Sequence, residues 1–194
     1  MQDEEVLAEF RACNALLEGH FLLSSGRHSA YYLQCARLLM DPERASRMAL
    51  ALAAKLPREL RREIRKVVSP AMGGVIIGHE MGRALGTEAI FVERPEGTFE
   101  LRRGFALEPG ETVLLVEDVV TTGKSSREAI KAVEAAGGKV IAGAALVDRS
   151  GGSADIGVPF QALIELNFPT YAADELPPEL TGTPAHKPGS RAQP

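Results

Sequence analysis

The sequence predicts an α/β fold with a mainly parallel sheet flanked by helices. Three features predict it. Beyond residue 64, short apolar runs alternate with helical patterns, and Gly or Pro punctuates the joins. Val113–Val116 is apolar without alternation, as a central strand covered on both faces requires. The chain has 194 residues, 45% hydrophobic and 25% charged, which is enough for one globular domain with its own core.

The elements follow in order. Residues 3–18 place Val6, Leu7, Phe10, Cys13, Leu16 and Leu17 at helical spacing. HFLLSSGRHSAYYLQC then holds two β-prone runs around Ser24-Ser25-Gly26-Arg27, a hairpin or a loop between strands. Asp41-Pro42 is an N-cap followed by Pro at the first helical position. The helix it starts runs to about Leu56, with Ala45, Met48, Ala49, Leu52 and Leu56 facing inward. RELRREIRK reads as a solvated helix face. IRKVVSP is a strand, AMGG a turn, and VIIGHEMGRAL a helix closed by Gly86. TEAIFVE is a strand, and RPEGTFELRRG is polar with few apolar anchors. TVLLVED is a strand; SSREAIKAVEAAGG is a helix with a Ser125–Glu128 capping box and a Gly137-Gly138 cap. KVIAGAALVDR and FQALIELN complete the strands. The Pro-rich tail lacks large apolar residues after Leu180, and its end is expected to be disordered.

Several classes of function are disfavoured. A net charge of -4 supplies no basic excess for nucleic acid, and seven Phe, three Tyr and no Trp supply few stacking platforms. No apolar run reaches membrane-spanning length. The start MQDEEVLAEF is acidic and amphipathic, unlike a signal or transit peptide. Cys13 and Cys35 have neither metal nor redox spacing and read as reduced buried thiols of a cytoplasmic protein.

The strand ends carry the chemistry, because open α/β sheets bind ligands there. VLLVEDVVTTGKSS ends like a Walker loop, yet that pattern needs Gly at position 118, where Asp118 stands. An anionic side chain there also repels triphosphate. Thr121-Thr122-Gly123-Lys124-Ser125 still suits one phosphate monoester: successive backbone N–H groups, a helix N-terminus and three hydroxyls. Alone, the segment fits a plain βα turn as well. Glu117 and Asp118 shift the balance, since adjacent carboxylates closing a buried strand are costly unless they bind something. A vicinal diol suits them, with a divalent cation sharing the site. A diol beside a phosphate describes a ribose 5-phosphate.

VLLVEDVVTTGKSS resembles the phosphoribosyl-pyrophosphate (PRPP) signature of type I phosphoribosyltransferases, and EDVVTTGKS is most similar to that of the orotate-using members. FLLSSGRHSAYY is similar to their N-terminal hood, SPAMGGVIIG to their pyrophosphate loop, and LVDR to the segment whose Arg contacts the orotate carboxylate. The resemblance covers about residues 5–168. It implies the type I fold with a small hood: residues 1–40 as N-terminal helix and hood, 41–168 as the core, and 169–194 as a partly disordered C-terminal segment.

The resemblance also implies roles. Glu117 and Asp118 would hold the ribose hydroxyls, with Mg2+ nearby and bound mostly through PRPP. Val119, Val120, Thr121, Thr122, Gly123, Lys124 and Ser125 would wrap the 5-phosphate. Ala71, Met72, Gly73 and Gly74 would form the pyrophosphate loop; close helix–strand packing is the other use of that Gly pair. Thr121, Arg149, Ser25 and Gly26 would meet orotate. Residues 94–104 would be a mobile loop, shared across a homodimer, with Arg94, Arg102 and Arg103 as its catalytic cations. Two departures stand out. The family's Lys and His are missing from this loop, with no His between His79 and His186, and Ser24 stands where many members have Lys before Ser-Gly. Arg27 is a candidate for that missing charge. Two rivals remain: a purine or other phosphoribosyltransferase, and a non-catalytic PRPP sensor. Arg149 and the hood argue against the first, and the missing basic arm against the second.

Overall fold

The computed structural model describes residues 1–23 and 25–188, so the Ser24 departure and the last six residues of the tail lie outside the described residues. The chain begins with α1 (Asp3–Ala12), β1 (Leu16–Leu22), β2 (His28–Leu33), α2 (Cys35–Leu39), α3 (Pro42–Lys55) and α4 (Arg58–Glu63). It continues with β3 (Lys66–Pro70), α5 (Gly74–Leu85), β4 (Glu88–Glu93), β5 (Glu100–Leu101), β6 (Thr112–Val120), α6 (Lys124–Ala135), β7 (Lys139–Asp148) and β8 (Phe160–Glu165). The main sheet has the order β5-β4-β3-β6-β7-β8. All its pairings are parallel except β4 with β5.

The order explains where a site belongs. From β3 the chain moves outward to β4, then returns to β6 on the other side of β3 and moves outward again. The strand order thus reverses between β3 and β6, and a crevice opens there at the carboxyl ends. Apolar strand residues cover both faces. Val67, Leu114, Val116 and Leu146 pack with α1, α3 and α5 through Phe10, Met48, Leu52, Ile77 and Met81. Val68, Val113, Leu115 and Ala145 pack with α6 through Ala129, Ile130 and Val133.

Most expected elements are present. Asp41 caps α3 as predicted, its carboxylate accepting from the N–H of Glu43 and Arg44, and the five inward residues named above are all buried. Gly86 closes α5 in the left-handed conformation. The β1–β2 hairpin forms the hood, and the basic stretch is α4, which buries no residue.

Two expectations need correction. The first helix ends at Ala12, because Asn14 adopts φ +52° and Leu16 and Leu17 pair with Leu33 and Tyr32. The segment 94–104 is not merely polar: Phe99 is buried, and β5 pairs antiparallel with β4. The expectation for the end of the tail lies outside the described residues, while the C-terminal segment before it joins the hood. Tyr171 bridges His28 at one edge of the hood and His186 bridges Phe21 at the other. Leu180 is buried, and the His20 ring binds both the Thr183 carbonyl (2.7 Å) and His28 (2.6 Å). Main-chain pairing closes both hood edges, which short polar sequences do without an apolar signature.

Candidate active site

Two loops meet at the crevice. The first leaves β3 at Pro70 and runs through Ala71, Met72 and Gly73 into α5, whose first residue is Gly74. Its Ala71–Met72 peptide bond is cis, and Met72 is 85% exposed at the tip. The second leaves β6 at Val120 and enters α6 through Thr121, Thr122 and Gly123. Gly123 has φ +69°, and an added Cβ would lie 3.0 Å from Ile156 and 3.2 Å from the Asp155 carbonyl. Glycine is therefore required twice, for conformation and for space. Arg127 fastens the loop beneath by donating to the carbonyls of Thr122 (3.2 Å) and Asp155.

The predicted capping box is absent. Gly123 occupies the N-cap with no side-chain cap, and Glu128 turns to Arg94 and Lys124 instead. The Lys124 N–H makes a long bond to the Thr122 hydroxyl (3.4 Å), and those of Ser125 and Ser126 keep their capacity for an anion. They face a cleft of about 250 Å³ lined by Glu117, Val119–Ser126, Glu128 and Arg94. That volume is below the roughly 300–1,000 Å³ of drug-sized sites and suits a phosphate monoester. Thr121, Thr122 and Ser125 are exposed into it or at its rim, whereas the Lys124 side chain is 79% exposed, with Glu128 3.9 Å away.

Glu117 and Asp118 are adjacent in sequence but work on opposite faces of β6, as strand alternation dictates. Glu117 faces α6, buried, and its Oε1 accepts from Ser126 Oγ at 3.1 Å. Asp118 faces the first loop: a Cβ on Gly73 would lie 2.6 Å from its Oδ2. The acid pair therefore spans the switch point, one carboxylate toward the anion loop and the other against 71–74. We expect Gly73→Ala to displace Asp118 or the loop and to lower folding stability by ~1–3 kcal/mol, as overpacking does, read as a lower melting temperature; an unchanged melting temperature would show that the loop yields without cost.

Burial, and then the Asp118 carboxylate, push Glu117 up to about 8, against the Ser126 hydroxyl and Arg94. Burial also raises Asp118, opposed by hydrogen bonds from backbone N–H groups. The sign for stability follows. Glu117 holds its proton more tightly folded than unfolded, so its contribution is full below its ordinary value of 4.5 and is lost as pH rises through about 8. Melting curves between about pH 5 and pH 9 should therefore show the Glu117→Gln variant gaining on the native chain as pH rises. Parallel curves would remove this assignment.

The three loop arginines are not equivalent. Arg94 pairs with Glu128 at the cleft and stacks over Phe99 at 4.1 Å. Arg103, at φ +60°, forms a two-pronged pair with Glu93 (2.9 and 2.7 Å). Arg102 is exposed and makes no salt bridge among the described residues.

Arg149 follows β7, and its backbone N–H donates to the Val120 carbonyl at 2.8 Å, which ties it to the start of the phosphate loop. Its guanidinium lies 5.7 Å from the Phe168 ring, which stacks on Tyr31 of the hood at 4.7 Å. Burial works against its charge, and its Nε is buried with no hydrogen-bond partner among the described residues. Tyr32 and buried Cys35 both feel this cation, and Cys35 also feels Asp118. Ser25 and Gly26 form the hood turn, Gly26 at φ +79°, and Gly26 N–H donates to the Leu23 carbonyl. Arg27 is engaged elsewhere, donating to the Thr170 hydroxyl and carbonyl at 2.9 and 2.7 Å. Ser126, Arg127 and Phe168 carry no functional signal in the sequence, and the signal at Glu128 is that of a cap.

An anion loop at a helix N-terminus, an acid pair closing the central strand and a Gly loop at the switch point are the parts of a phosphoribosyl transferase domain, and the family model of that description matches residues 43–157. The chain is 78% identical over 194 residues to the orotate phosphoribosyltransferase of Novosphingobium aromaticivorans, covering 100% of both. It is 76% identical over 193 residues to that of Sphingopyxis alaskensis, covering 99% of this chain and 98% of the relative. Among solved structures, orotate phosphoribosyltransferase from Aeropyrum pernix aligns with TM-score 0.70 and 26% identity, over 83% of this chain and 93% of that one. The chain belongs to the orotate phosphoribosyltransferase family.

Proposed function

We propose that the chain transfers the 5-phosphoribosyl group of PRPP to orotate, giving orotidine 5'-phosphate and pyrophosphate for UMP synthesis in the cytoplasm. The observation that carries this reading is Arg149. A largely buried guanidinium with an orphaned Nε, tied to the start of a phosphate loop, calls for an anion, and orotate brings a carboxylate where purines bring none. The family relatives support the same substrate.

The cleft residues Val119–Ser125 hold the 5-phosphate. Glu117 and Asp118 accept from the ribose hydroxyls from opposite sides of β6. Ala71, Met72, Gly73 and Gly74 present backbone groups to the pyrophosphate, whose departure takes the electron pair of the C1–O bond as a ring nitrogen of orotate forms the new bond to C1. Arg149 orients orotate through its carboxylate, with Thr121 at its edge and the Ser25-Gly26 turn above. Orotate is already anionic, so little general acid–base work is needed. Of the loop cations we assign Arg102 to the leaving pyrophosphate, since Arg94 and Arg103 are committed to Glu128 and Glu93. In the homodimer we propose, residues 94–104 cover the neighbouring subunit's pyrophosphate and exclude water.

Mg2+ suits this donor set. No cluster of three metal-ligating side chains exists among the described residues, while Glu117 and Asp118 offer two carboxylates beside the PRPP site. When bound with PRPP, Mg2+ supplies charge neutralisation at the pyrophosphate. Among the described residues, no helix is long and apolar enough to cross a membrane.

PRPP consumption measured with orotate, uracil, adenine and hypoxanthine tests the reading. Turnover with orotate alone is expected. Turnover only with a purine would overturn it, and bound PRPP without turnover of any base would mark a sensor.

A further inference from the structure

Ser126 lies one residue beyond the phosphate-loop motif, on the first turn of α6. It is 2% exposed, and its hydroxyl donates to Glu117 Oε1 at 3.1 Å. A helical Ser either points to solvent or bonds back to the carbonyl four residues earlier. Ser126 does neither: its hydroxyl reaches across to β6. Glu117 Oε2 accepts no hydrogen bond among the described residues, and Glu117 lines the cleft.

We propose that Ser126 is a positioning residue, holding one Glu117 oxygen so that the other faces the ribose hydroxyls of PRPP. The inference rests on the reading of Glu117 as a ribose-binding carboxylate. A Glu side chain has three torsions, and binding that begins with them fixed loses less freedom on association. Three groups act on the Glu117 carboxyl: Ser126 on α6 by its hydrogen bond, Asp118 from the other face of the strand by repulsion, and Arg94 from the segment after β4 by attraction. Arg94 is itself paired with Glu128. Ser126 is thus the side-chain donor that fixes its orientation.

The test is a double-mutant cycle with Ser126→Ala and Glu117→Ala, read as PRPP affinity by calorimetry at fixed Mg2+ and as KM for orotate; Glu117→Ala is used because Gln would keep an oxygen that accepts from Ser126. Ser126→Ala should weaken PRPP binding roughly tenfold, with orotate KM changed by less than about twofold. In the Glu117→Ala background the same substitution should add less than about twofold. Ser126→Cys, which keeps the volume and a weak donor, should lose less than Ser126→Ala. Unchanged PRPP affinity in Ser126→Ala, or its full effect repeated in the Glu117→Ala background, would overturn the inference alone. Unchanged affinity in Glu117→Ala itself would instead overturn the ribose reading of Glu117.

Discussion

The Glu117→Gln, Asp118→Asn double variant is expected to lose PRPP binding by about 100-fold or more while keeping its fold. Each carboxylate, once ionised with PRPP bound, offers charge-assisted hydrogen bonds worth ~1.5–3 kcal/mol where an amide offers one neutral acceptor, so the two changes together remove roughly 3 kcal/mol. The amides keep the volume of the acids, and both sites are closely packed: Ser126 meets Glu117, and Gly73 leaves no room beside Asp118. Folding should not suffer, because burial already disfavours both charges. Neutral amides remove that penalty, so the melting temperature near pH 8 should equal or exceed that of the native chain. Each single variant should show a clear partial loss, since the two side chains approach the sugar from opposite faces of β6. Calorimetry with PRPP, alongside a thermal melt, checks both halves. Unchanged affinity in a folded double variant would remove the diol site. Lost affinity in an unfolded one would make the acids structural.

The core sheet and the phosphate loop were legible because their signals are local. Apolar strands bounded by Gly and Pro, Asp41-Pro42 at a helix start and Asp118 in place of a Walker Gly depend on neighbouring residues only. What escaped depends on partners far along the chain. Asn14 ends α1 because Leu16 must pair with Leu33, a contact no helical periodicity reports. Residues 169–188 are ordered through main-chain pairing to the hood, which leaves little mark on a polar, Pro-rich sequence. Ser125 and Glu128 fit a capping box by spacing, yet Glu128 gains more from the Arg94 guanidinium, and a ligand-binding helix start is better left uncapped. Strand alternation makes Glu117 and Asp118 diverge to the two faces of β6, so they reach a diol at the strand end from opposite sides.

Arg149→Ala is expected to raise the KM for orotate about 30- to 1000-fold while changing that for PRPP by no more than a few-fold. Truncating one partner of a buried hydrogen-bonded charge pair costs ~2–5 kcal/mol, and this guanidinium is partly buried beside the Phe168 ring. The orphaned Nε sharpens the expectation. Without ligand the protein carries a buried donor unpaired, a cost that an incoming carboxylate removes. That relief is specific to the base, since Arg149 is absent from the residues that line the phosphate cleft. Its backbone N–H bonds to Val120 whatever the side chain, so Ala leaves the path of the phosphate loop intact. Arg149→Lys should recover little. A Lys ammonium has no planar fork for a bidentate carboxylate and no guanidinium plane to lie against Phe168. Steady-state kinetics with each substrate varied in turn decides the matter. Equal rises in both Michaelis constants would mean that Arg149 organises the whole crevice rather than the base, and full recovery by Lys would leave charge alone as its contribution.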